Sequence, residues 1–320
     1  MNNRRKLLAV AWAALTMTTV VAADYPTKPI RIIVSLAPGG GVDTTGRLIG
    51  QKFTEAWGQQ VVVENRPGAG GTIATEVVAR SAPDGYTLLM TSVGHAITPS
   101  LYKLPYDAVK DFAPITLVVL APSVLVVHPS LPVKSVRELI PFAKARPNQL
   151  LFSSAGNGSP QHLAAELLKL MTGASFVHIP YKGTAPSITD LIGGRVSVSA
   201  ASVISTVPHV NAGRLRALAV ISAKRSQGVP QLPTVAEGGV PGFEVDTWYG
   251  LFAPAGTPNQ IIAGLNQETG RTLAQPEVKE KMLSMGLDPV GDSSEHFAAY
   301  VRSEVEKWAK VVRSADIHIN

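Results

Sequence analysis

The sequence predicts an α/β protein of two lobes with a ligand cleft between them, and three observations predict it. From Ile30 onward, short β-branched runs alternate with amphipathic stretches at helical spacing, the pattern of a parallel sheet covered by helices. The alternation occurs once before His128 and again after it, and a C-terminal helical segment then returns. Four strand ends run into loops of small residues, the position at which clefts form in such folds. With 320 residues, 45% of them hydrophobic, the chain can build about two cored domains.

In chain order, residues 1–23 read as a signal peptide. Arg4, Arg5 and Lys6 precede an uncharged stretch from Leu7 to Ala23, and Val21 and Ala23 are small residues suited to cleavage before Asp24. A retained anchor is the weaker alternative, because the stretch barely reaches spanning length. IRIIVSL (30–36) is the first strand, and a helix follows with Asp43 as N-cap ahead of Leu48, Ile49, Phe53 and Ala56. VVVEN (61–65), a helix after the glycines at 68–71, and YTLLM (86–90) complete the first series. The second has a helix near 135–145, LLFSS (150–154), a helix from Ser159 with Pro160 in its first position, and SFVHI (175–179). It continues with a helix from Thr184, VSVSA (196–200) and LRALAVIS (215–222). WYGLFAPAGTP (248–258) closes the series before helices around 258–273, 276–285 and 294–313. Connections near 128 and 248 divide the chain into lobe 1 (24–128 and 249–320) and lobe 2 (129–248).

Charge and composition exclude several function classes. The chain has 29 Lys and Arg against 23 Asp and Glu, and loss of the three leader bases halves that excess. No block of like charge and no nucleic-acid motif remains, which argues against nucleic acid as a partner. Without cysteine there are no disulfides, thiolate metal sites or cysteine nucleophiles, and no lipid-bearing Cys. The seven histidines include no HExxH and no pair three or four residues apart, so no metal is expected.

The segment SLAPGGGVDTTGR (35–47) invites a nucleotide reading and fails it. Counting from Gly39 and Gly41, the third glycine of a dinucleotide fingerprint is Thr44. A phosphate loop framed on Gly41 and Gly46 lacks its Lys and Ser/Thr, which are Arg47 and Leu48. What remains is a strand end and a helix start with little bulk. TSVGHAI (91–97), SSAGNGSPQH (153–162) and YKGTAPS (181–187) share that design. Small residues at a helix N-terminus let an anion approach unpaired N–H groups. The only formal charges in these loops are Asp43 and Lys182, so a bound anion would rest mainly on amides and hydroxyls. One helix end contributes about 0.3–1 kcal/mol, and up to about 2 when partly buried. Micromolar binding needs about 8 kcal/mol, so loops of both lobes must act together, as a small dicarboxylate or similar carboxylate would require. His95 and His162 are further candidates for ligand contact, while Tyr102, Tyr106, Trp248 and Tyr249 are read as packing residues.

At these residues the chain resembles the Bug-type extracytoplasmic solute receptors of tripartite tricarboxylate transporters. The likeness runs through YPTKPIRIIVSLAPGGGVDTTGR, VVVENRPGAGG, PDGYTLLM, LVVHPSLPVKSVREL, GNGSPQHLAAELL, HIPYKGTAPSITDLIGGRV, GRLRALAVISAKRS, LPTVAEGGVPGFE and WYGLFAPAGTP. It implies a two-lobed periplasmic binding protein of type II, monomeric and without cofactor, that passes a small organic anion to a membrane permease. The implied ligand-binding residues are Pro38, Gly39, Gly40, Gly41, Asp43 and Thr44 after the first strand, and Ser92, Gly94 and His95 after YTLLM. In lobe 2 they are Ala155, Gly156, Gly158, Ser159, Tyr181, Lys182, Gly183 and Ser202. Two departures from the family pattern stand out. Thr98 replaces a customary Asn, and Ala200, Ala201 and Ser202 stand where a Phe-Asp-Asn-like trio is usual, which alters the size or charge of the lobe 2 wall. A secreted α/β hydrolase is the main alternative, but its GxSxG elbow is missing: Ser159 is flanked by Asn157 and Gln161. A binding protein that feeds a sensor kinase would carry the same site.

Overall fold

The computed structural model describes residues 25–181, 183–315 and 317. The expected signal peptide and Lys182 lie outside the described residues. The first part of the chain forms β1 (Ile30–Val34), α1 (Gly41–Trp57), β2 (Val61–Asn65), α2 (Thr72–Ala79), β3 (Thr87–Ser92), α3 (Gly94–Ile97) and β4 (Phe112–Leu120). The middle forms β5 (Ser123–Val127), α4 (Val136–Lys144), β6 (Leu151–Ser154), α5 (Pro160–Thr172), β7 (Val177–Pro180), α6 (Thr184–Ile192), β8 (Val198–Ser202), α7 (Val203–Asn211) and β9 (Arg216–Val220). The remainder forms β10 (Trp248–Pro254), α8 (Asn259–Ala274), α9 (Pro276–Ser284), β11 (Asp288–Pro289) and α10 (Ser294–Ser314).

These strands make two sheets, ordered β11-β4-β10-β3-β1-β2 and β7-β6-β8-β5-β9. In the first, β1 pairs in parallel with β2 and β3, and β10 enters antiparallel between β3 and β4. In the second, β6 is parallel to β7 and β8, and β5 lies antiparallel between β8 and β9. The two parallel triplets, β1–β3 and β6–β8, each bring their carboxyl ends to one side, which is where parallel α/β sheets present ligand loops.

The chain changes sheet at Ala121–Pro122, earlier than the expected connection near 128. Pro122 has no N–H to continue the pairing of β4, and all five residues of β5 are buried in the second sheet. The return precedes Trp248, close to expectation. The two crossings run side by side: the Ala121 amide donates to the Thr247 carbonyl at 2.6 Å, and Val245 donates to Ile221 at 2.8 Å. One apolar cluster spans both lobes, from Ile33 and Leu89 through Trp248, Val301 and Trp308 to Leu139, Phe152 and Leu163. Glu304 anchors its centre. It is 1% exposed and accepts from the indole N–H groups of Trp248 at 3.2 Å and Trp308 at 3.0 Å.

Candidate functional site

A cavity of about 540 Å³ lies between the lobes. From the first sheet it is lined by the loops after β1 (Leu36), β2 (Gly70) and β3 (Ser92, Gly94, Ile97, Thr98), and by Leu101 and Tyr102 beyond them. From the second it takes the loop after β6, Ala155 to Gln161, and Gly183 after β7. Carboxyl ends of five parallel strands from two sheets therefore converge on one space, and none of its lining residues carries a formal charge. A larger cavity, about 620 Å³, sits beside Pro99 and Tyr106–Val109 and touches none of the loops of the second sheet.

The turn after β6 is built to expose backbone. Gly156 has φ 136°, and a Cβ there would stand 3.2 Å from the Tyr181 carbonyl oxygen, so a side chain is excluded both conformationally and sterically. Ser154 Oγ accepts from the Gly156 amide at 3.1 Å. Ser159 Oγ donates to the Gly156 carbonyl at 2.7 Å and accepts from the His162 amide at 3.3 Å, capping α5 as expected with Pro160 in the first turn. The Gly158 amide donates to His162 Nδ1 at 3.1 Å. Gly183 donates to Ala155 at 3.1 Å and forms the N-cap of α6, which ties the β7 loop to the β6 loop.

Beneath this turn, His162 stacks on His178, whose Nε2 is 2.6 Å from Ser154 Oγ. Burial lowers the pKa of both imidazoles. For His178 burial is reinforced by His162 and Lys169, and its value falls to about 4. The Ser154–His178 distance suits a nucleophile and base. Ser154 is nevertheless 1% exposed and outside the cavity lining.

The glycine triplet is held by Asp43, although not through an N-cap. Helix α1 begins at Gly41, with Gly40 as its cap and Asp43 within its first turn. The buried Asp43 carboxylate accepts from the Gly39 amide at 2.8 Å and Asn65 Nδ2 at 2.9 Å, and pairs with Arg47 Nε at 2.9 Å. Burial pushes its pKa up, but the bonds from Arg47, Gly39 and Asn65 outweigh that and hold it below the usual carboxylate range. Gly39 needs its hydrogen for conformation, with φ 81° and open space around it. Gly41 needs it for room, because a Cβ would meet the Tyr249 phenol oxygen at 2.5 Å.

Of the residues proposed from sequence, the structure gathers Ser92, Gly94, Ala155, Gly156, Gly158, Ser159 and Gly183 around the cavity. Pro38, Gly39, Gly40, Gly41, Asp43 and Thr44 are not among its lining residues. The Thr44 hydroxyl donates back to the Gly40 carbonyl at 3.1 Å. His95 belongs to the core: its Nε2 lies 2.7 Å from the Ala108 carbonyl oxygen and its ring packs on Phe112 and Phe252. Burial drives its pKa down to about 4. The Tyr181 hydroxyl donates to Asp190 at 2.7 Å rather than lining the cavity, and Ser202 Oγ is 2.8 Å from Ser205 Oγ at the start of α7. Lining residues absent from the sequence-based set are Leu36, Gly70, Ile97, Leu101, Asn157 and Gln161, with Thr98, Tyr102 and Pro160 noted there only in other roles. Gln161 Oε1 is buried without a partner at the cavity edge. Among the described residues no three His, Cys, Asp or Glu side chains gather to hold a metal ion, and no helix is long and apolar enough to cross a membrane.

The family profile described as "Tripartite tricarboxylate transporter family receptor" matches residues 46–317. The protein BugT of Bordetella pertussis (strain Tohama I) is 39% identical over 321 residues, covering 97% of this chain and 98% of BugT. Among solved structures, R. palustris Rpa4515 with adipate has a TM-score of 0.78 at 38% identity, covering 92% of this chain and 99% of its own. MatC from Rhodopseudomonas palustris, with bound malate, has a TM-score of 0.73 at 33% identity, covering 90% and 100%.

Proposed function

The chain belongs to the tripartite tricarboxylate transporter receptor family, and from that premise we propose that it is an exported, non-catalytic receptor that captures a small carboxylate between its lobes for a membrane permease. The observation that carries this reading is the cavity itself. It joins backbone-rich loops of both lobes and is lined by no charged side chain. A carboxylate there is held by N–H groups and hydroxyls at the starts of α5 and α6, where the helix dipoles favour negative charge. Each bond to a charged acceptor contributes about 1.5–3 kcal/mol, so several donors from the two lobes reach the roughly 8 kcal/mol of a micromolar complex only when the lobes close on the ligand. The relatives solved with adipate and with malate support the carboxylate class.

The closing bodies are 25–120 with 248–317, and 123–245, joined by the paired crossings at Ala121 and Thr247. Capture and delivery use the monomer. Ser154 and His178 serve the loop instead of hydrolysis, because their contact is buried behind the Gly156 turn. A thermal-shift panel of carboxylates, with mass analysis of the ligand after incubation, tests this function. At least one acid is expected to raise Tm by several degrees at 100-fold excess over Kd and to be recovered unchanged. Absence of any shift across mono-, di- and tricarboxylates, or appearance of a product, would overturn it.

A further inference from the structure

The two walls of the cavity differ in chemistry, and the difference bears on which carboxylates fit. On the second-sheet side stand the turn Gly156–Ser159 and the starts of two helices. On the first-sheet side stand Leu36, Ile97, Leu101 and Tyr102. Leu36 and Tyr102 are 36% and 38% exposed, and they belong to the small set of large apolar side chains that the described residues leave to solvent. The Leu36 backbone is fixed by Asn65 Nδ2, which donates to its carbonyl at 3.0 Å, and Tyr102 is held through its amide to Thr98 at 2.9 Å. Gly70 packs against Thr98 and Tyr102, where a Cβ would lie 3.2 Å from the Thr98 methyl. The polar groups on this side are few. Thr98 is buried, and the Gly94 amide is directed at Ser92 Oγ, 3.4 Å away.

A ligand spanning the cavity meets anion-binding backbone at one end and a rigid apolar face at the other. A carboxylate pressed onto Leu36, Leu101 and Tyr102 would lose its water without gaining the donors its oxygens require. An alkyl or aryl group there gains contact area and releases water from side chains that are otherwise exposed. We infer that the preferred ligand carries one carboxylate, seated at Gly156–Ser159, and an uncharged alkyl or aryl body lying on Leu36, Leu101 and Tyr102. This rests on the carboxylate-receptor reading above and narrows it to amphipathic monocarboxylates. Leu36 and Tyr102 are the specificity-determining side chains.

Matched acids separate the two claims. Titration calorimetry of the full chain with hexanoate and adipate compares six-carbon acids that differ by the second carboxylate, and benzoate and terephthalate repeat the comparison on a ring. Each monoacid is expected to bind at least tenfold more tightly than its diacid. Leu36→Asn and Tyr102→Ser, both at half-exposed positions and checked for unchanged Tm, are expected to weaken hexanoate at least fivefold. Diacids that equal or exceed their monoacids, or hexanoate binding that both substitutions leave intact, would overturn the inference and leave the receptor function standing. If none of the four acids nor malate binds, the receptor function falls and the inference falls with it.

Discussion

The rings of His162 and His178 lie face to face, centroids 3.8 Å apart and planes within 10° of parallel. Their outer nitrogens are engaged. His162 Nδ1 receives the Gly158 amide, its Nε2 is 3.8 Å from Glu166 Oε1, and His178 Nε2 meets Ser154 Oγ. Lys169, paired with Glu166, adds positive charge beside the stack. Protonation of both rings is therefore opposed, and a protonated Nδ1 could not accept from Gly158.

The pH dependence follows with a definite sign. Both imidazoles have folded-state pKa values below the ordinary 6.5, that of His178 at about 4, so the unfolded chain takes up protons first as pH falls. Their contribution is fully present above about pH 6.5 and is lost as pH falls toward about 4. Tm is expected to drop across that window, and His178→Phe to flatten the drop. An equally steep profile in the variant would rule out the pair as its source.

Gly41 and Tyr249 should behave as one unit. Gly41→Ala places a methyl in the space of the phenol and is expected to cost about 1–3 kcal/mol, most of it recovered in combination with Tyr249→Ala. Gly39→Ala meets no neighbour and costs about 1–2 kcal/mol through its φ of 81°, with no recovery from the same second substitution. Denaturant titrations of the single and double variants distinguish steric from conformational need.

Ser159 combines a structural and a ligand-facing task, which two substitutions separate. Ser159→Ala removes the cap of α5 and the bond to Gly156, lowering stability by about 1 kcal/mol and weakening carboxylate binding. Ser159→Asp keeps a capping oxygen, so stability is retained, yet it puts a fixed anion where the carboxylate seats. Binding is expected to fall at least tenfold. Unchanged affinity in the Asp variant would remove Ser159 from the site.

Glu304→Ala leaves two buried indole donors, on Trp248 and Trp308, without their acceptor. Leaving such groups unsatisfied costs about 1–3 kcal/mol each, so unfolding by urea should shift by about 2–5 kcal/mol, with altered tryptophan emission. A shift under about 1 kcal/mol would mean that water replaces the carboxylate.

Local signals were legible in the sequence, and cross-lobe relationships were not. The Ser159–Pro160 start of α5 can be read from neighbouring residues alone, because capping rules span one helical turn. Asp43 reads as a cap by the same rules, but its partner Asn65 lies on another strand and redirects it to the glycine loop. His95 looks like a loop residue until Phe112 and Phe252 close around it. Pro122 marks the change of sheet within a continuous apolar run. The placement near 128 follows from treating PITLVVLAPSVLVVHP as one segment. Leu36 and Tyr102 carry no local mark, since their meaning comes from facing the loop after β6 across the cavity.

The position of β10 has a consequence for the order in which the molecule can assemble. This strand, residues 248–254, lies between β3 and β4, so the middle of the sheet begun at residue 30 arrives only after the whole second lobe has been made. β5 to β9, by contrast, lie within one unbroken stretch of about a hundred residues and can close on themselves earlier, since shorter loops are cheaper to close. A nascent chain thus completes its interior lobe first and keeps its leading segment extended, with β3 and β4 each waiting along one edge for a strand from the last quarter of the polypeptide.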